Sequence, residues 1–151
     1  MLRNISSRFK YSCFVNIVEE MELNLYPESQ RSVLFDLLSY ANKIELNRLV
    51  LTTHSPYVIN YLTLAAKAFL LTQKVSANET LQERVKEVVP ADSAIDPARL
   101  RIYELKDGGV FRLSTYEGLP SDENFLNIQL GVTNELFDQL LEIEQEFDYK
   151  N

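Results

Sequence analysis

The sequence predicts a mixed α/β fold: a parallel sheet flanked by helices, followed by a β-hairpin and C-terminal helices. Three observations predict it. Residues 13–18 (Cys-Phe-Val-Asn-Ile-Val) and 48–53 (Arg-Leu-Val-Leu-Thr-Thr) are short, mostly apolar runs rich in β-formers, the pattern of strands buried on both faces of a parallel sheet. Between them, Val33, Leu34, Leu37, Leu38 and Ala41 recur at helical spacing and give one apolar stripe. Beyond residue 100, two alternating segments flank Asp107-Gly108-Gly109, a strong tight-turn signal.

Taken in order, residues 1–10 read as a polar, basic lead-in carrying Arg3, Arg8 and Lys10. The first strand follows. Pro27 then opens a helix, since proline suits the first helical turn, where its missing N–H costs nothing. Residues 42–47 end that helix, and the second strand follows. Ser55-Pro56 reads as the next helix start, with Ser55 as the cap and Pro56 in the first turn, the helix running through Val58, Ile59 and Leu62. Residues 67–72 (Lys-Ala-Phe-Leu-Leu-Thr) read as a third strand, completing a β-α-β-α-β order.

Residues 73–99 are polar and mixed and form the best linker candidate within a single domain of residues 1–151. Inside them, residues 80–89 suit a short helix, with Thr80 as cap and Glu83 at capping-box spacing. Residues 91–98 read as loop. The hairpin strands are residues 100–105 and 110–113, Pro120-Ser121 reads as another helix start, and a last helix spans residues 134–147. That helix places Leu136, Phe137, Leu140, Leu141 and Phe147 on one stripe and an acidic set, from Glu135 to Asp148, on the other side.

Composition bounds the function. With 151 residues and 46% hydrophobic content the chain can bury a real core. A net charge of −7 argues against wrapping nucleic acid, which needs clustered Lys and Arg, so DNA is not indicated as a partner. The single cysteine, Cys13, cannot form an internal disulfide and fits a reduced, cytoplasmic setting as a small core residue. No apolar run approaches a membrane span, and no signal-peptide pattern follows the basic residues near the N-terminus. All 4 glycines lie after residue 100, so nothing before it supplies the glycine-rich backbone that a phosphate cradle needs, and no G-x-x-x-x-G-K-[ST] occurs anywhere.

The candidate chemistry sits at two strand ends. Glu19 and Glu20 close the first strand and His54, the single histidine, follows the second; both places lie at the carboxyl edge where open α/β sheets bind ligands. One carboxylate there suits Mg²⁺ through water and the other suits orienting an attacking water, while a neutral imidazole suits a phosphate oxygen or that water. On residue type alone, two solvated glutamates and one structural histidine are the plainer reading. One histidine and one cysteine do not make up a zinc ligand set of the usual kind, and no Ser-His-Asp pattern is present. Tyr57 and Tyr61 read as helix packing.

The run I-V-E-E-M-E-L-N-L-Y-P-E-S-Q, residues 17–30, resembles the Walker B segment of ABC-type ATPases in the branch holding RecF-like, SMC-like and OLD-family (overcoming lysogenization defect) proteins. That segment reads as an apolar strand and then D-E-P-E-x-x-L-H-P-x-x-Q. The T-T-H-S-P around His54 resembles the same branch's switch-histidine motif, and the helix between the two fits its spacing. The resemblance covers residues 13–72 well and the hairpin and last helix weakly. It implies a partial P-loop-NTPase-like sheet, with Glu20 as the catalytic glutamate that polarises the attacking water. Glu19 stands at the Mg²⁺-associated aspartate, His54 at the γ-phosphate sensor, and Tyr26-Pro27 at the usual His-Pro.

Three departures stand out. Glu19 is one methylene longer than aspartate, Met21 replaces a proline, and both the Walker A loop and a signature motif are missing; Ser6-Ser7 lacks the following glycine. The resemblance therefore implies the C-terminal part of an ATP-binding, ATP-hydrolysing enzyme. ATP and Mg²⁺ would be ligands of the intact protein, and neither would be held tightly by this chain alone. The alternative is a non-catalytic remnant, an interaction module that dimerises or docks on a partner. Either way a homodimer is expected, because an exposed sheet edge and apolar face call for a second copy to cover them.

Overall fold

The computed structural model describes residues 13–150; the basic lead-in and Ser6-Ser7 lie outside the described residues. The chain divides into two compact units, residues 1–100 and 101–151.

The first unit begins with β1 (Val15–Glu19), α1 (Pro27–Asn42), β2 (Arg48–Thr52) and α2 (Pro56–Lys74). β1 and β2 pair in parallel, with Ile17 opposite Val50, Val18 opposite Leu51 and Glu19 opposite Thr52. Partners in a parallel pair share a face, and the faces differ. Val18, Leu49 and Leu51 are half-buried on the side of the helices, whereas Val15, Ile17 and Val50 are exposed. The expectation of strands buried on both faces is therefore corrected. The apolar runs do supply two apolar faces, but among the described residues the helices cover one.

Proline opens both helices at their first turn, as expected. α1 packs on α2 and on β2. Its buried residues are Gln30, Leu34, Phe35 and Leu38, so the buried stripe is turned from the one expected: Val33 is exposed and Phe35 takes its place. On α2 the buried residues are Val58, Ile59, Leu62, Ala65, Ala66 and Ala68. The alanines let the helices approach closely, and Phe35 meets Tyr61 edge-on with ring centroids 6.4 Å apart.

Residues 67–72 are not a third strand: they are the last turns of α2. A short apolar run fits either period, and here no glycine or proline interrupts the chain between Pro56 and Lys74. The described parallel sheet accordingly has 2 strands.

Residues 73–99 fold within this first unit. They hold α3 (Glu79–Val88) and 3₁₀ turns at Ala91–Ser93 and Pro97–Arg99. The cap of α3 is Asn78, whose Oδ1 accepts from Leu81 N–H at 3.0 Å, in place of the expected Thr80. Ser93, 2% exposed, donates to the Phe35 carbonyl at 2.9 Å, and Asn42 Nδ2 donates to the carbonyls of Asp92 and Ala94. Buried Asn47 does similar work at the start of the sheet: its Oδ1 accepts from Phe14 N–H at 3.0 Å and its Nδ2 donates to the Tyr40 carbonyl at 3.2 Å.

The second unit is an antiparallel hairpin of β3 (Tyr103–Lys106) and β4 (Gly109–Arg112), a smaller pair of β5 (Thr115–Tyr116) and β6 (Leu119–Pro120), and α4 (Phe125–Lys150). The β3–β4 turn is Asp107-Gly108, with φ of 50° and 72°, and Glu117-Gly118 repeats it at 50° and 81°. Positive φ at both central residues matches the right-handed strand twist, and glycine takes it freely. The second turn follows the same residue-type rule, with glycine at its second central position. Pro120 lies in β6 and opens no helix. α4 instead begins at Phe125, nine residues before the expected 134. Asn124 caps it, accepting from Asn127 N–H at 3.0 Å, and the Glu104 carboxylate accepts from Phe125 N–H at 2.6 Å.

Candidate functional site

Glu19 and Thr52 end their strands side by side, so the two chains leave the sheet at one edge. Glu20 turns out of β1 with φ of 45°, a left-handed conformation unusual for a residue with a side chain. Its N–H stays in register, donating to the Thr52 carbonyl at 2.9 Å and to Thr52 Oγ1 at 3.2 Å. That double tie fixes Glu20 at the rim with its side chain directed away from the ladder. From the other strand, Thr53 Oγ1 accepts from Ser55 N–H at 2.9 Å and bends the chain around His54.

The result brings two of the three expected residues together. His54 Nε2 lies 3.4 Å from Glu20 Oε1, with the imidazole 83% and the carboxylate 40% exposed. The separation is an ion-pair distance, longer than a strong hydrogen bond, and leaves both groups facing solvent. A carboxylate and an imidazole at such a spacing can address one reacting position between them. Glu19 is exposed at the end of β1, beside this pair in sequence. Among the described residues no group of three or more His, Cys, Asp or Glu side chains converges as a metal site.

Beneath the pair lies a polar layer that sequence reasoning left without roles. Glu22 Oε1 accepts from the backbone N–H of His54 at 2.5 Å. Gln30 is 7% exposed; it donates through Nε2 to the Leu25 carbonyl at 2.9 Å and accepts through Oε1 from the Ser55 hydroxyl at 2.6 Å. Ser55 does occupy the cap position of α2, but its hydroxyl makes no capping bond, being committed to Gln30. Reverse turns between Glu20 and Leu23 and between Glu22 and Leu25, with Asn24 at φ of 59°, and a buried Met21 fold the loop inward so that these side chains reach across. The signal was available: Glu22, Leu25 and Gln30 all stand at fixed letters of the D-E-P-E-x-x-L-H-P-x-x-Q pattern.

The pair thus lies at the carboxyl edge of neighbouring parallel strands, the place where open α/β sheets bind ligands. Residues 15–60 match the model of a family described as AAA domain, putative AbiEii toxin, Type IV TA system. That stretch, from the first residue of β1 into α2, is an AAA-like, P-loop-ATPase-like region. No curated protein and no solved structure matches the chain.

Proposed function

We propose that this chain carries the hydrolysis-and-sensing half of an ATP site of the ABC type, in which Glu20 is the general base, His54 senses the γ-phosphate, and Glu19 faces Mg²⁺ through water. The observation that carries the reading is the 3.4 Å approach of Glu20 to His54 at the carboxyl edge of two parallel strands. In this reading the left-handed turn at Glu20 aims its carboxylate at the water, and the exposed imidazole meets the phosphate from the neighbouring strand. The donor chemistry suits Mg²⁺, which is usually held by one or two carboxylates and the substrate's own phosphates. In this reading residues 1–107, which contain no glycine, do not themselves form a phosphate-binding loop.

Two measurements test the reading. Calorimetry with Mg²⁺·ATP on residues 1–151 should show no micromolar binding, since the amides and lysine that grip phosphate are lacking; micromolar binding would overturn the division of the site. In a polypeptide that includes the phosphate-binding loop, Glu20→Gln should lower turnover by about 10²–10⁴-fold, the usual contribution of a general base. Unchanged turnover would remove Glu20 from the role.

A second reading has its own support. Val15 and Ile17 are 66% and 68% exposed on the uncovered sheet face. In that reading the chain is an interaction module whose apolar surface is covered by a second copy, and sedimentation should give a dimer whether or not nucleotide is present.

A further inference from the structure

We propose that Glu22 is the positioning residue of His54: its carboxylate holds the backbone from which the imidazole reaches Glu20, so that the Glu20–His54 approach exists only while that hydrogen bond is made. The inference deepens the ATP-site reading and takes its functional meaning from it, while its geometry stands independently.

Three contacts tie the loop after β1 to the segment after β2. Glu20 N–H is bound to Thr52, and the Gln30 amide to the Ser55 hydroxyl. Those hold the residues on either side of His54. The 2.5 Å bond from His54 N–H to Glu22 Oε1 holds His54 itself. It falls between the end of β2 and the start of α2, where neither ladder nor helix offers the backbone N–H an acceptor. A carboxylate there makes a charge-assisted bond, roughly twice as strong as a neutral one.

The other half of the group points the same way. Glu22 Oε2 is buried without a hydrogen-bond partner. Burying a carboxylate oxygen unsatisfied is costly, so the bond that Oε1 makes to His54 N–H is the polar interaction that offsets that cost. The His54 ring is 83% exposed, so packing does not fix its direction, and its backbone must. Glu22 is thus placed to convert the fold of the loop after β1 into the orientation of a residue on the other strand.

The test is by nuclear magnetic resonance on residues 1–151 without nucleotide, so its failure is distinct from failure of the ATP reading. The His54 amide proton should resonate far downfield and be protected from exchange. Glu22→Ala should move it upfield and speed its exchange about tenfold to a hundredfold, the equivalent of a lost bond to a charged acceptor. Glu22→Gln, which keeps an acceptor, should retain most of the protection and serves if the alanine variant does not fold. The decisive readout is proximity: nuclear Overhauser cross-peaks between the His54 ring and the Glu20 side chain should appear in the parent chain and be lost in Glu22→Ala. Undiminished His54–Glu20 cross-peaks in Glu22→Ala, or a His54 amide unchanged in that variant, would overturn the proposal.

Discussion

The two units spend their apolar residues in opposite ways. In the first, Leu34 of α1 and Val58, Ala65 and Ala66 of α2 are fully buried, and the segment at 91–95 packs on α1 and donates from Ile95 N–H to the Ala65 carbonyl. In the second, Leu113 is the buried hydrophobic, while Leu136, Phe137, Leu140 and Ile143 of α4 are 55–65% exposed. Both helices are amphipathic by sequence. The difference teaches that periodicity identifies a face that burial would stabilise, and that a second element must be present before it does so. The sheet shows the same contrast within one element: among the described residues one face of β1 and β2 lies under helices, and Val15, Ile17 and Val50 are exposed on the other.

Three substitutions bear on that contrast. Leu34→Ala should have the largest effect, lowering unfolding free energy by about 2–5 kcal/mol through lost burial and a cavity, read as a shift of the denaturant midpoint. A change under about 0.5 kcal/mol would mean that α1 and α2 do not form a packed core. Gln30→Ala should come next, at about 1–3 kcal/mol, because it leaves the buried Ser55 hydroxyl and the Leu25 carbonyl unsatisfied. Its readout is the same midpoint, and Ser55→Ala combined with it should cost less than the sum of the two. Leu140→Gln should be smallest, within about 0.5 kcal/mol for the isolated chain, since the residue is 64% exposed. If α4 is covered by a second copy, the same variant should shift sedimentation toward monomer. A loss comparable to Leu34→Ala with no change in mass would erase the distinction between the units.

Much of the first unit was legible. The strand runs, Pro27 and Pro56 fixed the order through α2, because proline position and apolar run length are local signals. The failures have physical causes. Residues 67–72 have the length and composition of a strand, and only the lack of a breaker after Pro56 shows that the helix continues. α4 was started too late because Gly131 lies inside it; a helix tolerates one glycine at a cost of about 1 kcal/mol when capped and continued as this one is. At the site, Glu20 and His54 could be placed on one edge from the strand pattern, since a parallel sheet sends successive strands' ends the same way. The residues of the Glu22 and Gln30 bonds stood at pattern letters, but the bonds themselves depend on positive φ at Glu20 and Asn24, which asparagine tolerates and glutamate does not announce.

That positive φ at Glu20 sets stability against usefulness. A side chain in the left-handed region costs about 1–2 kcal/mol that glycine would avoid. The Glu20 backbone bonds to Thr52 would survive the exchange, since they use the main-chain N–H. Engineering for thermal tolerance alone would therefore favour glycine here and produce a sturdier protein with a blunted rim. Position 20 marks where a stabilising design should be told to stop.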